Sequence, residues 1–230
     1  MVDGGSDSKS GLRQVRLKLP VTPEDLAGLR IGDIVYLDGT LYTGREGLYQ
    51  RVLGDKIEPP EPLASISNAN FHCSPAASVN EDGTYNLGAV TATASFRFSK
   101  WLDQWFKVSG CKMMIGKGGM SSADYRKHFV PNGAVYLTTV GYGTGALLGR
   151  GVKNVPVVHW LDELGIAQAV WVLDVENFGP FIVECDLEGN SLFEQQNALV
   201  NVNVKKMYDG LKPPALARYG ETTNREDEVV

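Results

Sequence analysis

Cys111–Ser122 reads CKMMIGKGGMSS. An apolar run delivers Lys117 into a glycine-rich bend, and a helix start follows at Ser122. The next apolar run, AVYLTTVG at Ala134–Gly141, has the same unbroken character. Runs of this kind read as strands buried on both faces, and a helix between two of them points to an α/β chain. The stretch also poses a chemical question, because a lysine held on a strand-to-helix loop is placed to meet an anion.

Working outward, the alternation continues. QVRLKLP at Gln14–Pro20 alternates as a half-buried strand does, and VTPEDLAGL offers Thr22 as N-cap with Pro23 at the first helical position. IVYLDGTLYT at Ile34–Thr43 reads as two strands around an Asp38-Gly39 hairpin turn. GREGLYQRVLG predicts a helix ending at Gly54. KIEPPEP is exposed and proline-punctuated, and SISNANFHC is a candidate strand. A turn at Asn80–Gly83 precedes the strand YNLGAVTA. In SFRFSKWLDQWFKVSG, Phe98, Trp101, Leu102 and Trp105 recur at helical spacing, and Gly110 stops the helix. GALLGRGV predicts a helix, VPVVHW a strand, and AVWVLDV and PFIVECDL two more strands. A further amphipathic helix covers roughly residues 192–211.

Composition bounds the classes. The 230 residues are 43% hydrophobic and 21% charged, an ordinary globular balance. A net charge of −5 argues against general nucleic-acid binding, and no apolar run is long enough to span a bilayer. The polar, glycine-rich start does not read as a targeting segment, so cytoplasm is the expected location. Three cysteines without paired spacing suit a reducing compartment.

Among the loops, GKGGMSS lacks Walker spacing, and the Gly118–Ser122 run is not followed by a histidine that could carry phosphate. In TATASFRF at Thr91–Phe98, Thr93 and Ser95 stand where the tryptophan-bearing helix should begin, with Arg97 in its first turn. That place suits a carboxylate, although a simple Ser or Thr cap beside a surface arginine uses the same residues. Arg45 opens another helix directly after a strand. Cys111 and Cys185 sit in or beside strand-like runs and, with Cys73, read as core residues. His72, His128 and His159 lack metal-ligand spacing and read as structural, so no metal ligands are expected.

Taken in order, these stretches resemble the C-terminal domain, or separate beta subunit, of class I fumarases and L-tartrate dehydratases. That family shows a GD-x-V/I-YL-x-GT-L/I segment leading to T-x-R-D-x-x-H, then GPTTSxRM, an I/V-GKG loop, a V-x-Y/W-x-ELG segment and a D-x-x-GN end. Here the counterparts are GDIVYLDGTLYTGRE at Gly32–Glu46, TATASFRF, IGKGGM at Ile115–Met120, and the run from Val158 to Leu192 containing VHW, ELG and DLEGN. The VHW, FGP and KGGM forms are closest to the tartrate dehydratase branch. The resemblance implies a swivelling β/β/α domain with a mixed sheet over residues 12–192. Around it stand a flexible lead at 1–11, a helical extension at 193–211 and a mobile tail at 212–230.

It also implies a cytoplasmic hydro-lyase beta subunit, working with an alpha-type partner in a hetero-oligomer of possible two-plus-two stoichiometry. That partner, not this chain, would hold a 4Fe–4S cluster acting as a Lewis acid. Carried over by motif, Arg45, Thr93, Arg97 and Lys117 bind a 2-hydroxy dicarboxylate, and Thr93 and Lys117 are catalytic. Neither nucleic acid nor membrane is expected as a partner. The sequence departs from the family at Glu46, Tyr49, Ala92 and Ala94, where the family has Asp, His, Pro and Thr. Those changes fit either an altered substrate or a non-catalytic anion-binding or assembly module built on the same domain.

Overall fold

The computed structural model describes residues 11–141 and 143–210. The lead and tail expected at 1–11 and 212–230 therefore lie outside the described residues, apart from Gly11. By its contacts the chain divides into two units, one ending at Glu194 and one beginning at Gln195.

The strands are β1 (Gln14–Lys18), β2 (Ile34–Thr43), β3 (Ala69–Phe71), β4 (Cys73–Val79), β5 (Tyr85–Ala92), β6 (Met113–Gly116), β7 (Val135–Thr139), β8 (Val152–His159) and β9 (Val170–Cys185). The helices are α1 (Pro23–Ala27), α2 (Glu46–Tyr49, widening into a π-turn at Gln50–Gly54), α3 (Leu63–Ile66), α4 (Leu102–Ser109, preceded by a 3-10 turn at Ser95–Trp101), α5 (Ser122–Asp124, widening into a π-turn at Tyr125–Phe129), α6 (Thr144–Gly151), α7 (Leu161–Leu164) and α8 (Leu192–Tyr208). Among the described residues no helix is long and apolar enough to cross a membrane.

Seven strands form one mixed sheet in the order β1-β2-β3-β6-β7-β9-β8, and β9 also pairs with β2. The β2, β3, β6, β7 and β9 pairings thus close on themselves. β2, β3, β6 and β7 run parallel, while β9 is antiparallel to β2 and β7. β4 and β5 make a separate hairpin through the expected turn at Asn80–Gly83.

Alternation along the strands splits the core in two. Met113, Ile115, Val135, Leu137 and Leu41 join a cluster that also takes in Cys73, Val90 and Ala92 of the hairpin and Leu148 of α6. Met114, Tyr136 and Tyr42 face the other way and pack against Leu48, Leu102, Trp105, Phe106 and Phe129 from the helices. With both faces covered, β6 and β7 have no solvent side, which is why their sequences read as unbroken apolar runs. The local signals at α1 and α4 also hold. Thr22 and Asp25 form a reciprocal capping box, and Gly110 ends α4 in the left-handed region at φ 63°.

Two strand readings are corrected. Asp38-Gly39 is not a hairpin turn, because β2 runs straight through it. The Asp38 carboxylate is engaged across strands, by Arg16 at 2.5 Å and by the Asn177 amide at 2.7 Å. Gly39 sits at φ 116° because the chain leaving β1 crosses directly over it. A Cβ there would lie 2.6 Å from the Leu19 carbonyl oxygen. Likewise AVWVLDV and PFIVECDL are one strand. The inward-facing residues step by three from Val175 to Phe178 to Phe181, so the ENFG interruption is a pair of irregularities within β9.

Gly39→Ala should lower stability by about 2–4 kcal/mol, since it adds left-handed strain to a backbone collision. Gly83→Ala, at φ 81° with nothing within 4 Å, should cost about 1 kcal/mol or a little more. Urea denaturation of the two variants checks this, and equal losses would refute the reading of Gly39.

Candidate active site

The expected site residues lie just beyond strand ends. Arg45 follows β2 and Lys117 follows β6, while Thr93 comes just after β5; His72, read from the sequence as structural, follows β3. Thr93 and Lys117 are joined by the backbone. The Lys117 amide donates to the Thr93 carbonyl at 3.2 Å, and the Ser95 amide donates to the Lys117 carbonyl at 3.1 Å. Arg97 lies one short turn further on, in the 3-10 segment. Arg97 and Lys117 are exposed, and neither forms an ion pair with a described residue.

Arg45 is held from a different direction. Its Nη1 donates to the Ala167 carbonyl at 3.0 Å, while Gln168 accepts from the Gly47 amide at 3.1 Å. The Ala167–Gln168 stretch just after ELG therefore braces the helix that Arg45 opens. That helix reaches the Arg97 segment through Glu46–Lys100 at 3.1 Å and through Tyr49 stacked on Phe98 at 5.2 Å. Arg45 Nε and Asn70 Nδ2 are buried donors with no acceptor among the described residues. Unanswered donors of this sort are what an anion or a water would satisfy.

Beneath these loops runs a chain of wholly buried polar groups. Tyr136 donates to Ser95 Oγ at 2.7 Å, and Ser95 Oγ lies 2.7 Å from His72 Nδ1. His72 Nε2 lies 2.7 Å from Tyr49 Oη, which is 3.2 Å from Asn70 Oδ1. Ser95 is thus not the helix cap that its position suggested. Both sides of its hydroxyl are used inward, and the segment carries no side-chain cap. Gly116 makes room for this crossing, since a Cβ there would stand 2.0 Å from Ser95 Oγ and 2.7 Å from Tyr136 Oη. Burial drives the His72 imidazole down to about 3, so it is neutral, and raises the Tyr136 and Tyr49 phenols.

The lysine loop has its own support. Gly118 and Gly119 both adopt positive φ, at 75° and 67°. Beyond them the Met120 amide donates to Tyr125 Oη at 2.8 Å, and Tyr125 donates to the buried Glu184 carboxyl. Ser191 also donates to Glu184, at 2.6 Å. Desolvation raises the Glu184 carboxyl above the usual carboxylate range. The D-x-x-GN end explains itself locally, because Asp186 accepts from the Glu188 and Asn190 amides and from Asn190 Nδ2.

Sequence reasoning named Arg45, Thr93, Arg97 and Lys117 as candidates but missed the groups that hold their loops. His72, Tyr136, Tyr125 and Glu184 come from separate strands and loops, and no spacing in the chain links them. Cys73 belongs to one core cluster, and Cys111 and Cys185 to the other. Their surroundings do not fit a cluster site, and among the described residues no three His, Cys, Asp or Glu gather as a metal would require.

His72 makes stability depend on pH. Its folded value lies below the unfolded 6.5, so its contribution is complete above pH 6.5 and is lost as pH falls toward 3. Between pH 7 and 5 the wild type should lose about 2 kcal/mol more than a His72→Gln chain. Urea titrations of both chains at the two pH values check it, and parallel pH profiles would refute it.

The comparisons with known proteins agree with one another. The family described as Fumarase C-terminus matches residues 3–196. A Methanocaldococcus jannaschii protein provisionally named L(+)-tartrate dehydratase subunit beta is 36% identical over 193 residues, covering 83% of this chain and 93% of that protein. The Escherichia coli L(+)-tartrate dehydratase subunit beta is 31% identical over 185 residues, 80% of this chain and 88% of its own length. A longer Geobacillus stearothermophilus protein, provisionally named fumarate hydratase class I, is 30% identical over 189 residues; these are 82% of this chain but 35% of that protein. Matched over most of its length by the family and by these relatives alike, the chain belongs to the Fumarase C-terminus family.

Proposed function

We propose that this chain is the beta-type subunit of a hydro-lyase that removes water from a 2-hydroxy dicarboxylate. The observation that carries the reading is the backbone exchange between Lys117 and the Thr93–Ser95 segment. It sets a lysine, a threonine hydroxyl and the Arg97 guanidinium on adjoining loops, with no carboxylate of the described residues paired to either cation. The names of the beta-subunit relatives support the reaction class, and a beta subunit implies a second subunit. The sheet, with the β4–β5 hairpin, α1 and α6 on one face and α2, α4 and the Tyr125–Phe129 turn on the other, supports a swivelling β/β/α domain.

In this reading the Arg97 guanidinium grips one substrate carboxylate through two parallel N–H bonds, and the Lys117 ammonium neutralises the same end as a compact charge. Arg45 serves the other carboxylate from the β2 side. Thr93 Oγ makes no hydrogen bond to a described residue, and its backbone is fixed on both sides. It stands beside the carbon that loses its proton. A threonine hydroxyl is a weak base by itself, so its activation must come from a carboxylate or imidazole of the alpha-type partner. The 4Fe–4S cluster belongs to that partner, since the cysteine surroundings here do not fit it.

The isolated chain should take up no iron–sulfur cluster. Anaerobic reconstitution with iron and sulfide, followed by visible absorbance, checks this; stoichiometric uptake that disappears when all three cysteines are replaced would overturn it.

With the partner present, turnover of malate, tartrate and methyl-substituted homologues tests the site. Lys117→Ala and Arg97→Lys should each cost about 2–4 kcal/mol in kcat/KM, the latter because an ammonium lacks the two-pronged geometry. Thr93→Val should depress kcat more than KM. Wild-type kinetics in all three variants would remove these residues from the site. A wild-type complex that binds dicarboxylate without turnover would instead favour the non-catalytic anion-binding module.

A further inference from the structure

We propose that His72 is a positioning residue for this site: it fixes Ser95, and through Ser95 the Thr93–Arg97 segment and the Lys117 loop, relative to the helix that Arg45 opens. The proposal rests on the hydro-lyase reading for its kinetic consequences, though not for its geometry.

His72 has no exposure at all, so it cannot touch substrate. Its two nitrogens point to opposite elements, Nδ1 to Ser95 and Nε2 to Tyr49, each at 2.7 Å. Phe98 and Tyr49 wall the ring edge-on, with centroids 4.7 and 5.8 Å away. A rigid five-membered ring between two hydroxyls sets their separation, and a core residue chosen for volume alone would not. The bonds also run in one sense. Tyr136 donates to Ser95, Ser95 donates to Nδ1, Nε2–H donates to Tyr49, and Tyr49 donates to Asn70. With Tyr136 and Tyr49 as donors at the two ends, each hydroxyl and the ring N–H finds an acceptor when the imidazole is the Nε2–H tautomer.

The output end of the chain is the site itself. The Ser95 amide donates to the Lys117 carbonyl, the Lys117 amide donates to the Thr93 carbonyl, and the Thr93 amide donates to the His72 carbonyl at 2.6 Å. His72 therefore grips the Thr93–Ser95 segment twice, once through its main chain and once through its ring. At the other end Tyr49 lies on the helix opened by Arg45. His72, directly after β3, brings its imidazole to that tyrosine.

The test uses the full chain with its cluster-bearing partner. His72→Phe, Ser95→Ala and the milder Tyr49→Phe are assayed well below their melting temperatures, together with the His72→Phe/Ser95→Ala double variant. Positioning predicts that kcat/KM falls about 10- to 100-fold in His72→Phe and Ser95→Ala, less in Tyr49→Phe, and no further in the double variant. Lowered melting temperatures with unchanged kcat/KM, or losses that multiply in the double variant, would overturn it. Hydrogen exchange on the chain alone supplies a readout independent of turnover. In Tyr49→Phe and His72→Phe the Ser95 and Lys117 amides should exchange at least 10-fold faster, while the remote Val183 amide, bonded to Asp33, keeps its rate. If the wild-type complex turns over no dicarboxylate, the hydro-lyase reading fails and exchange alone decides the positioning role. Unchanged exchange at Ser95 and Lys117 would overturn that role whatever the kinetics.

Discussion

The site hangs on the close crossing of β6 over the Thr93–Ser95 segment. The Ser95 amide can reach the Lys117 carbonyl, and the Lys117 amide the Thr93 carbonyl, only if residue 116 has no side chain, since anything larger would occupy the place of the Ser95 hydroxyl. From that contact the rest follows in both directions. Outward, it sets Lys117 beside Thr93 and Arg97. Inward, it presses Ser95 against Tyr136 and His72, so that the same hydroxyl orders a loop above and a polar chain below.

Burying five polar side chains between apolar layers costs desolvation that each hydrogen bond only modestly exceeds, by about 1 kcal/mol net. An all-apolar filling would be comparably stable. What the polar chain adds is direction, because its bonds are satisfied in one geometry and broken in others. The neutral imidazole suits that task. A charged ring here would need a counterion, and the groups facing it are the Tyr49 and Ser95 hydroxyls and the Phe98 ring.

Much of this was legible in the chain where local chemistry decides. Thr22, Pro23 and Asp25 announce α1, Gly110 announces the end of α4, and the unbroken apolar runs announce β6 and β7. Asp38-Gly39 misled because the same dipeptide serves a tight turn and a cross-strand accommodation. Which one forms depends on Arg16 and Asn177, which lie far along the chain. The cations were legible as loop residues beside glycine and hydroxyl residues. Their supports were not, since Tyr49 meets His72, and Tyr125 meets Glu184, only after the sheet has been assembled.

β9 deserves to be read as a ruler. It begins just after Ala167 and Gln168, which brace Arg45 and its helix, and it ends at the Glu184 that anchors the lysine loop. The spacing between those two anchors is therefore written into the number of residues in a single strand, including the two extra residues absorbed near Asn177 and Pro180. A residue lost or gained along this span with no compensating irregularity would turn Glu184 away from Tyr125 to the opposite face. The length of β9, and not only the identity of its side chains, thus decides whether the Arg45 helix and the lysine loop keep their places.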